Sequence, residues 1–370
     1  MSVDVLVIGG GQAGLSTAYW LKRLGPSFVV LDAADRIGDS WRKRYACLTL
    51  FTPREFSSLP GLALPGEPAG YATASEFGDY LERYAEKFAL PVRSNQRVVR
   101  LARSDKGFLA DLSSGEQITA ATVIVATGGF QSPIVPAMAA DLSDDVQQLS
   151  AETYRTRAEV SGHRVVVIGD GASGRDIAAD LADSHTVVLA CGRPRRLLPE
   201  KILGIGTWKW LRALGLLSAD TNSPVGRFMR KADPFPNRQR DLPTLGRLGV
   251  ELKPRAVAAH GKEIRFSDGT SLEVETVVWA LGYGDESAWL EIGGARDADG
   301  AFQHYRGRSP IPGLYFVGRP WQRNRASALI TGVGADARLI AAEVSEAFGH
   351  DTRTAVERAL KLRLLIATEN

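Results

Sequence analysis

The chain has 370 residues, 44% hydrophobic and 24% charged, with a formal net charge of +3 and an isoelectric point near 8.8. At roughly 100–200 residues per domain, that length implies two or three domains, and the apolar share is that of an ordinary globular protein. The mild positive balance, with no basic helix interleaved with aromatics, excludes a nucleic-acid role, and the two cysteines, Cys47 and Cys191, form no CxxC pair, which excludes a disulfide framework, a dithiol centre and a metal site.

Val3 to Ile8 is a β-type run that enters Gly9-Gly10-Gly11-Gln12-Ala13-Gly14, and Leu15 to Leu21 continues at helical period. A GxGxxG between a strand and a helix is a dinucleotide cradle. Gly9 makes the tight turn, Gly11 admits a pyrophosphate to the backbone and Gly14 packs helix on strand. The helix N-terminus, with Gln12 and Ala13 in its first turn, faces the negative charge. The chain goes straight into this strand without a basic n-region or cleavage site, and no apolar run reaches the ~18 residues of a membrane span, so a cytoplasmic protein is expected. The next strand, Ser27 to Leu31, ends in Asp32, at the roughly 20-residue distance where a carboxylate accepts ribose hydroxyls. A free 2′-hydroxyl there suits FAD.

Hairpin signals at 105–107 and 113–115 precede a buried-type strand, Thr122 to Val125, closed by Ala126-Thr127-Gly128. The cradle then repeats: Arg164 to Ile168 is a strand, Gly169-Asp170-Gly171-Ala172-Ser173-Gly174 the loop, and Arg175 to Leu181 the helix. Gly169, Gly171 and Gly174 take the three glycine roles, with Ser173 beside them. Here the second strand, Thr186 to Ala190, leads not to an acid but to Arg193, Arg195 and Arg196, whose guanidiniums match a 2′-phosphate and so favour NADPH over NADH. Lys201 to Leu217 mixes apolar residues with Trp208, Trp210 and flanking bases. Its glycines break a clean amphipathic face, which favours a lid or packing element over a membrane-surface helix.

A hairpin signal at 267–270 precedes the closing strand Thr276 to Ala280, and Leu281-Gly282 ends it. One more strand and glycine turn, Gly313 to Gly318, and a helix over 335–347 carry no third signature. A further helix is expected over 355–366. The simplest reading is an α/β protein of two Rossmann-like domains: an FAD-binding domain at 1–140 and 283–370, with an NADPH-binding domain at 141–282 inserted into it.

These motifs, together with the turn Ile37-Gly38-Asp39-Ser40-Trp41, the closures at 126–128 and 280–283, Tyr154-Arg155 ahead of Gly162 to Val165, and the segment Gly313 to Gly334, resemble the class B flavin monooxygenases, in their bacterial and plant flavin-containing branch. The resemblance covers nearly the whole chain. It implies that NADPH reduces FAD, that the reduced flavin takes O₂ to a C4a-hydroperoxide, and that this oxygenates a soft nucleophile or a ketone. It further implies that Gly38, Ser40, Trp41, Ala126, Thr127, Gly128 and Gly318 line the FAD site, and that the backbone near Ser327 and Gly332 meets the flavin's pyrimidine edge. The family's linker fingerprint, roughly F-x-G-x-x-x-H-S-x-x-Y, is broken here. Counted back from Tyr154, Asp144, Val146 and Ser150 stand where Phe, Gly and His are expected. Where animal-type members carry a flavin-side asparagine, this chain reads Leu48-Thr49-Leu50-Phe51-Thr52-Pro53, making Phe51 an apolar wall of the pocket.

Such chemistry belongs to the cofactor, so no triad or paired carboxylate is sought. The histidines, at 163, 185, 260, 304 and 350, are scattered and read as ordinary surface or strand-end residues rather than bases. The expected function is NADPH-dependent FAD monooxygenation of a small sulfur-, nitrogen- or carbonyl-containing substrate with O₂. Two alternatives stand beside it: a non-oxygenating NAD(P)H-dependent flavin reductase or oxidase releasing H₂O₂, and a flavin-binding sensor without turnover. Substrate identity is not in the sequence, and neither is oligomeric state, with a homodimer among the options.

Overall fold

The computed structural model describes residues 1–232 and 234–349; the helix expected over 355–366 and His350 lie outside them. The chain opens with β1 (Ser2–Ile8), α1 (Gln12–Leu24), β2 (Phe28–Leu31), α2 (Asp39–Arg42) and α3 (Ala74–Lys87), followed by β3 (Val92–Arg93), β4 (Val98–Ser104), β5 (Gly107–Leu112) and β6 (Gln117–Val125). The strands form one sheet in the order β3-β2-β1-β6-β5-β4. β1 lies parallel between β2 and β6, and β4-β5-β6 is an antiparallel meander. Val5 to Ile8 are at most 5% exposed, because a parallel strand covered on both faces reads as a continuous apolar run rather than an alternation.

The second unit repeats the plan with β7 (Gln147–Ser150), β8 (Arg164–Ile168), α4 (Ala172–Leu181), β9 (Thr186–Ala190), α5 (Thr207–Ala213), α6 (Pro224–Ala232), α7 (Leu242–Arg247) and β10 (Glu251–Lys253). A separate antiparallel sheet, β11 (Ala256–His260), β12 (Glu263–Phe266) and β13 (Ser271–Glu273), precedes the closing strand β14 (Thr276–Trp279). The main sheet runs β10-β9-β8-β14-β7, every pair parallel. The chain then returns to the first sheet, where β15 (Leu314–Phe316) pairs with the last residues of β6.

The final described helix, α8 (Ile330–Ala347), starts five residues before the expected Ala335. Gly332 and Gly334 lie inside it because their missing side chains admit Ala326 and Pro60. α8 packs on α1, and Trp20 Nε1 donates to Gly334 O at 3.2 Å. The two connections between units run side by side, with Ser132–Pro133 antiparallel to Tyr283–Gly284. Among the described residues, no helix is long and apolar enough to cross a membrane.

Candidate functional site

Two glycine loops define the site, and their backbones match. Gly9 and Gly169 have φ of +108° and +110°, and a Cβ on them would lie 2.7 Å from Ala126 O and 2.5 Å from Ala280 O, respectively. A Cβ on Gly14 or Gly174 would overlap the carbonyl of Gly9 or Gly169. At both sites the first glycine fits under the closing strand and the third packs helix on strand, as the sequence spacing suggests. No side chain caps α1 or α4, and neither first turn holds an acid. A Cβ on Gly11 would meet nothing within 4 Å, and one on Gly171 only Arg195 Nη2 at 3.9 Å. Both loops therefore present open backbone and free amide donors, a cradle that fits a pyrophosphate.

Around the first loop, Asp32 accepts from Gly10 N at 2.6 Å and from Ala34 N at 2.7 Å. Among the described residues it pairs with no cation. Trp41 Nε1 donates to Gln12 Oε1 at 3.1 Å, which brings the tryptophan turn to the loop. Gly38 (φ +88°) enters α2, and a Cβ there would collide with Gly78. Ser40 is exposed. Gly318 has φ of +84°, and a Cβ would lie 2.7 Å from Ala13 Cβ, so the returning chain touches the loop. Ser327 is fully buried, its hydroxyl accepting from Arg323 N and Asn324 N at 3.0 and 3.2 Å. This turn leads into the uncapped N-terminus of the 18-residue α8. Ala126, Thr127 and Gly128 follow β6. Gln131 Nε2 donates to Thr127 Oγ1 and to Gly128 O, each at 2.7 Å.

The second loop carries a buried carboxylate. Asp170 is 3% exposed and Arg175, on α4, 2%; their side chains pair at 3.1 Å, and Arg175 Nε also donates to Asp170 O at 2.8 Å. Asp170 Oδ1 accepts from Gly192 N at 3.3 Å and sits 3.5 Å from Arg195 Nε. The three arginines read alike in sequence now separate, since Arg195 is half-buried against the loop while Arg193 and Arg196 are exposed. Ser173, in the first turn of α4, faces the Tyr45 hydroxyl and opposes the rise in its pKa.

That tyrosine begins a segment of the first unit that docks on the second. Tyr45 is 2% exposed and also reaches Asp176 on α4 at 3.5 Å, and burial, then the Asp176 charge, push its hydroxyl pKa well up. Ala46 N donates to Arg155 O at 2.9 Å, and Arg238 donates to Thr49 O at 3.1 Å and to the Thr49 hydroxyl. Burial pushes the Cys47 and Cys191 thiols up to about 12 and about 11, so neither is a thiolate at neutral pH. Phe51 closes this segment, half-buried and stacked on Trp208 with ring centroids 6.2 Å apart. Trp208, Leu211 and Leu217 turn inward with Phe56, Ala326 and Leu329, while Leu203 is 89% exposed. The 201–217 segment is thus a packing element with an outward tip. Tyr45 and Arg238 escaped the sequence reading because their pairings cross the chain; Asp170 and Arg175 are only five positions apart, and the acid inside a glycine loop was the one signal for that pair.

A family model for pyridine nucleotide-disulphide oxidoreductases matches residues 6–198. The chain is 42% identical to an uncharacterized CzcO-like oxidoreductase of Geobacillus kaustophilus, across 91% of this chain and 97% of the relative. It is 37% identical to the uncharacterized oxidoreductase CzcO of Bacillus subtilis, across 92% and 99%. Among solved structures, a flavin-containing monooxygenase from Stenotrophomonas maltophilia superposes with a TM-score of 0.76 at 28% identity, covering 94% of this chain and 99% of that one. The chain therefore belongs to the pyridine nucleotide-disulphide oxidoreductase family, as an oxidoreductase with the two-Rossmann architecture of its flavin monooxygenases.

Proposed function

We propose that the chain is an NADPH-dependent FAD monooxygenase, with FAD on the loop at 9–14, NADPH on the loop at 169–174, and a small sulfur-, nitrogen- or carbonyl-containing molecule as the acceptor of oxygen. In domain terms, residues 1–140 and the chain from 283 onward serve FAD, and residues 141–282 serve NADPH. The observation that carries this reading is the pair of open glycine cradles with opposite charge beside them: at Asp32 a carboxylate that meets no cation among the described residues, and at the second loop a cancelled carboxylate with a surplus arginine. Asp32 suits free ribose hydroxyls, and Arg195 suits a 2′-phosphate.

The chemistry the two cofactors would supply when bound is a two-electron transfer from NADPH through the flavin to O₂. The protein's part is placement and exclusion of water. The N–H groups at the starts of α1 and α4 would hold the pyrophosphates, Trp41 fixes Gln12 at the first loop, and the uncapped α8 N-terminus would supply partial positive charge to an anionic reduced flavin. Phe51 on Trp208 forms an apolar wall that keeps water from the reacting oxygen. The second reading, an NADPH oxidase releasing H₂O₂, has one observation in its favour: Phe51 offers no hydrogen-bonding atom to the pocket. Incubating the purified protein with NADPH and a panel of small sulfides, amines and ketones, then measuring oxygenated product and peroxide per NADPH, tests both. Product in near-equal amount to NADPH supports the first reading, and peroxide alone supports the second.

A further inference from the structure

We propose that Asp170 is a positioning residue for coenzyme choice, holding the Arg195 guanidinium over the second glycine loop so that the 2′-phosphate of NADPH meets a cation already in place. The inference rests on the reading of that loop as the NADPH site. It is carried by an exchange of two residue types between the loops.

In the first loop the carboxylate stands at the strand end, as Asp32, and reaches back to Gly10 N at 2.6 Å. A Cβ on Gly10 would lie 2.5 Å from Asp32 Oδ2, so one carboxylate fills the gap between loop and strand. In the second loop the acid is Asp170, at the place of Gly10, and it reaches forward to the N–H of Gly192, at the place of Asp32. The same loop-to-strand bond is made from the opposite side.

Two consequences follow for a ligand carrying an extra phosphate. Gly192 leaves the strand end without the acid that would repel a 2′-phosphate. The displaced carboxylate, buried, has its charge cancelled by the equally buried Arg175, and its Oδ1 still draws Arg195 Nε to 3.5 Å. That contact is an ion pair without a hydrogen bond from Nε, and it leaves the Nη end of the fork over Gly171. A surface arginine gives up rotamer freedom on meeting a phosphate. Arg195 has given much of it up beforehand, whereas exposed Arg193 and Arg196 have not.

The test is calorimetric binding of adenosine 2′,5′-bisphosphate and of 5′-AMP, which differ only in the 2′-phosphate, to the flavin-loaded full chain. Wild type is expected to prefer the bisphosphate. R195A and D170N should each weaken it about tenfold, the loss of roughly one charge-assisted bond, while 5′-AMP changes less than about twofold. The double variant should bind the bisphosphate no worse than R195A, because Asp170 acts through Arg195. Equal weakening of both ligands by D170N, an unchanged bisphosphate affinity, or losses that multiply in the double variant would overturn the proposal. If D170N does not fold, G192D serves instead, since its Cβ would lie 3.9 Å from Asp170 Oδ1 and fits. It should lose the bisphosphate and keep 5′-AMP, and retained bisphosphate binding counts against the proposal. A wild type that binds the two ligands equally removes the NADPH reading itself, whereas a preference that D170N leaves intact removes only the role of Asp170.

Discussion

The two glycine loops share one backbone and differ in charge. Their first glycines adopt φ of +108° and +110°, and both third glycines pack against the first. Yet one loop carries an acid with no cation within ion-pair distance among the described residues, and the other an acid flanked by two arginines. On the proposed function, each loop is a dinucleotide site and the side chains divide the two cofactors between them. A repeated fold would then acquire direction, with a donor at one loop and an acceptor at the other, from the placement of one carboxylate on either side of the gap between loop and strand.

The strongest way to break this comparison is at the middle glycines. Gly11→Val should abolish flavin retention, because the side chain enters the space proposed for the pyrophosphate while its Cβ meets no protein atom within 4 Å. Gly171→Val should leave the protein yellow and remove its reduction by NADPH. Absorbance at purification and anaerobic reduction check both, and a Gly11→Val protein with its full flavin complement contradicts the assignment.

Next in size is the buried pair at the second loop. Arg175→Met leaves the Asp170 carboxylate buried with its closest cation gone, which should cost about 3–5 kcal/mol of stability, read by chemical denaturation. The first loop has no counterpart pair, and Leu15, at the same place on α1, is an ordinary core residue, 0% exposed. A loss under about 1 kcal/mol would mean that water reaches Asp170.

A smaller effect concerns Phe51, the residue proposed as an apolar wall. On the proposed function, Phe51→Ala should uncover the Trp208 ring that Phe51 stacks on, divert turnover to H₂O₂ and lower the product formed per NADPH, with flavin content unchanged. If coupling holds while thermal stability falls, Phe51 is core alone.

The smallest effect lies away from both loops. His304 packs on Phe316 with tilted rings, centroids 5.7 Å apart, and burial, then the Arg319 charge, hold its pKa at about 4. Unfolded, the imidazole takes its proton near pH 6.5. Between these values the unfolded chain binds more protons, so this contribution is fully present above pH 6.5 and is lost as pH falls towards 4. From pH 7 to pH 5 the wild type should lose roughly 1–2 kcal/mol that His304→Phe does not. Equal pH dependence of the two proteins would show that His304 titrates normally.

The fold was legible in the sequence because its strongest signals are local. A strand running into GxGxxG and then a helix is fixed by backbone geometry at Gly9, Gly14, Gly169 and Gly174, and a closing strand such as Thr122 to Val125 reads as a continuous apolar run because both faces are covered. What failed locally was the start of α8, where glycines that pack against Ala326 and Pro60 look like breakers to any reading that lacks the neighbour. The site was legible in its cofactor loops and illegible in its cross-chain pairs. Tyr45 with Asp176, Arg238 with Thr49 and Arg319 with Asp285 join residues 34 to 189 positions apart, and nothing in a one-dimensional pattern marks such partners. The three arginines after β9 show the same limit, since composition counts charges and only packing separates Arg195 from its exposed neighbours.

The central claim, electrons from NADPH spent on oxygen transfer, is tested most directly by turning the enzyme over under ¹⁸O₂ with NADPH and the panel of small sulfides, amines and ketones. The account predicts one labelled oxygen atom in each product molecule and close to one product per NADPH. NADPH consumed with every labelled atom recovered as hydrogen peroxide, or product oxygen drawn from water, would contradict it.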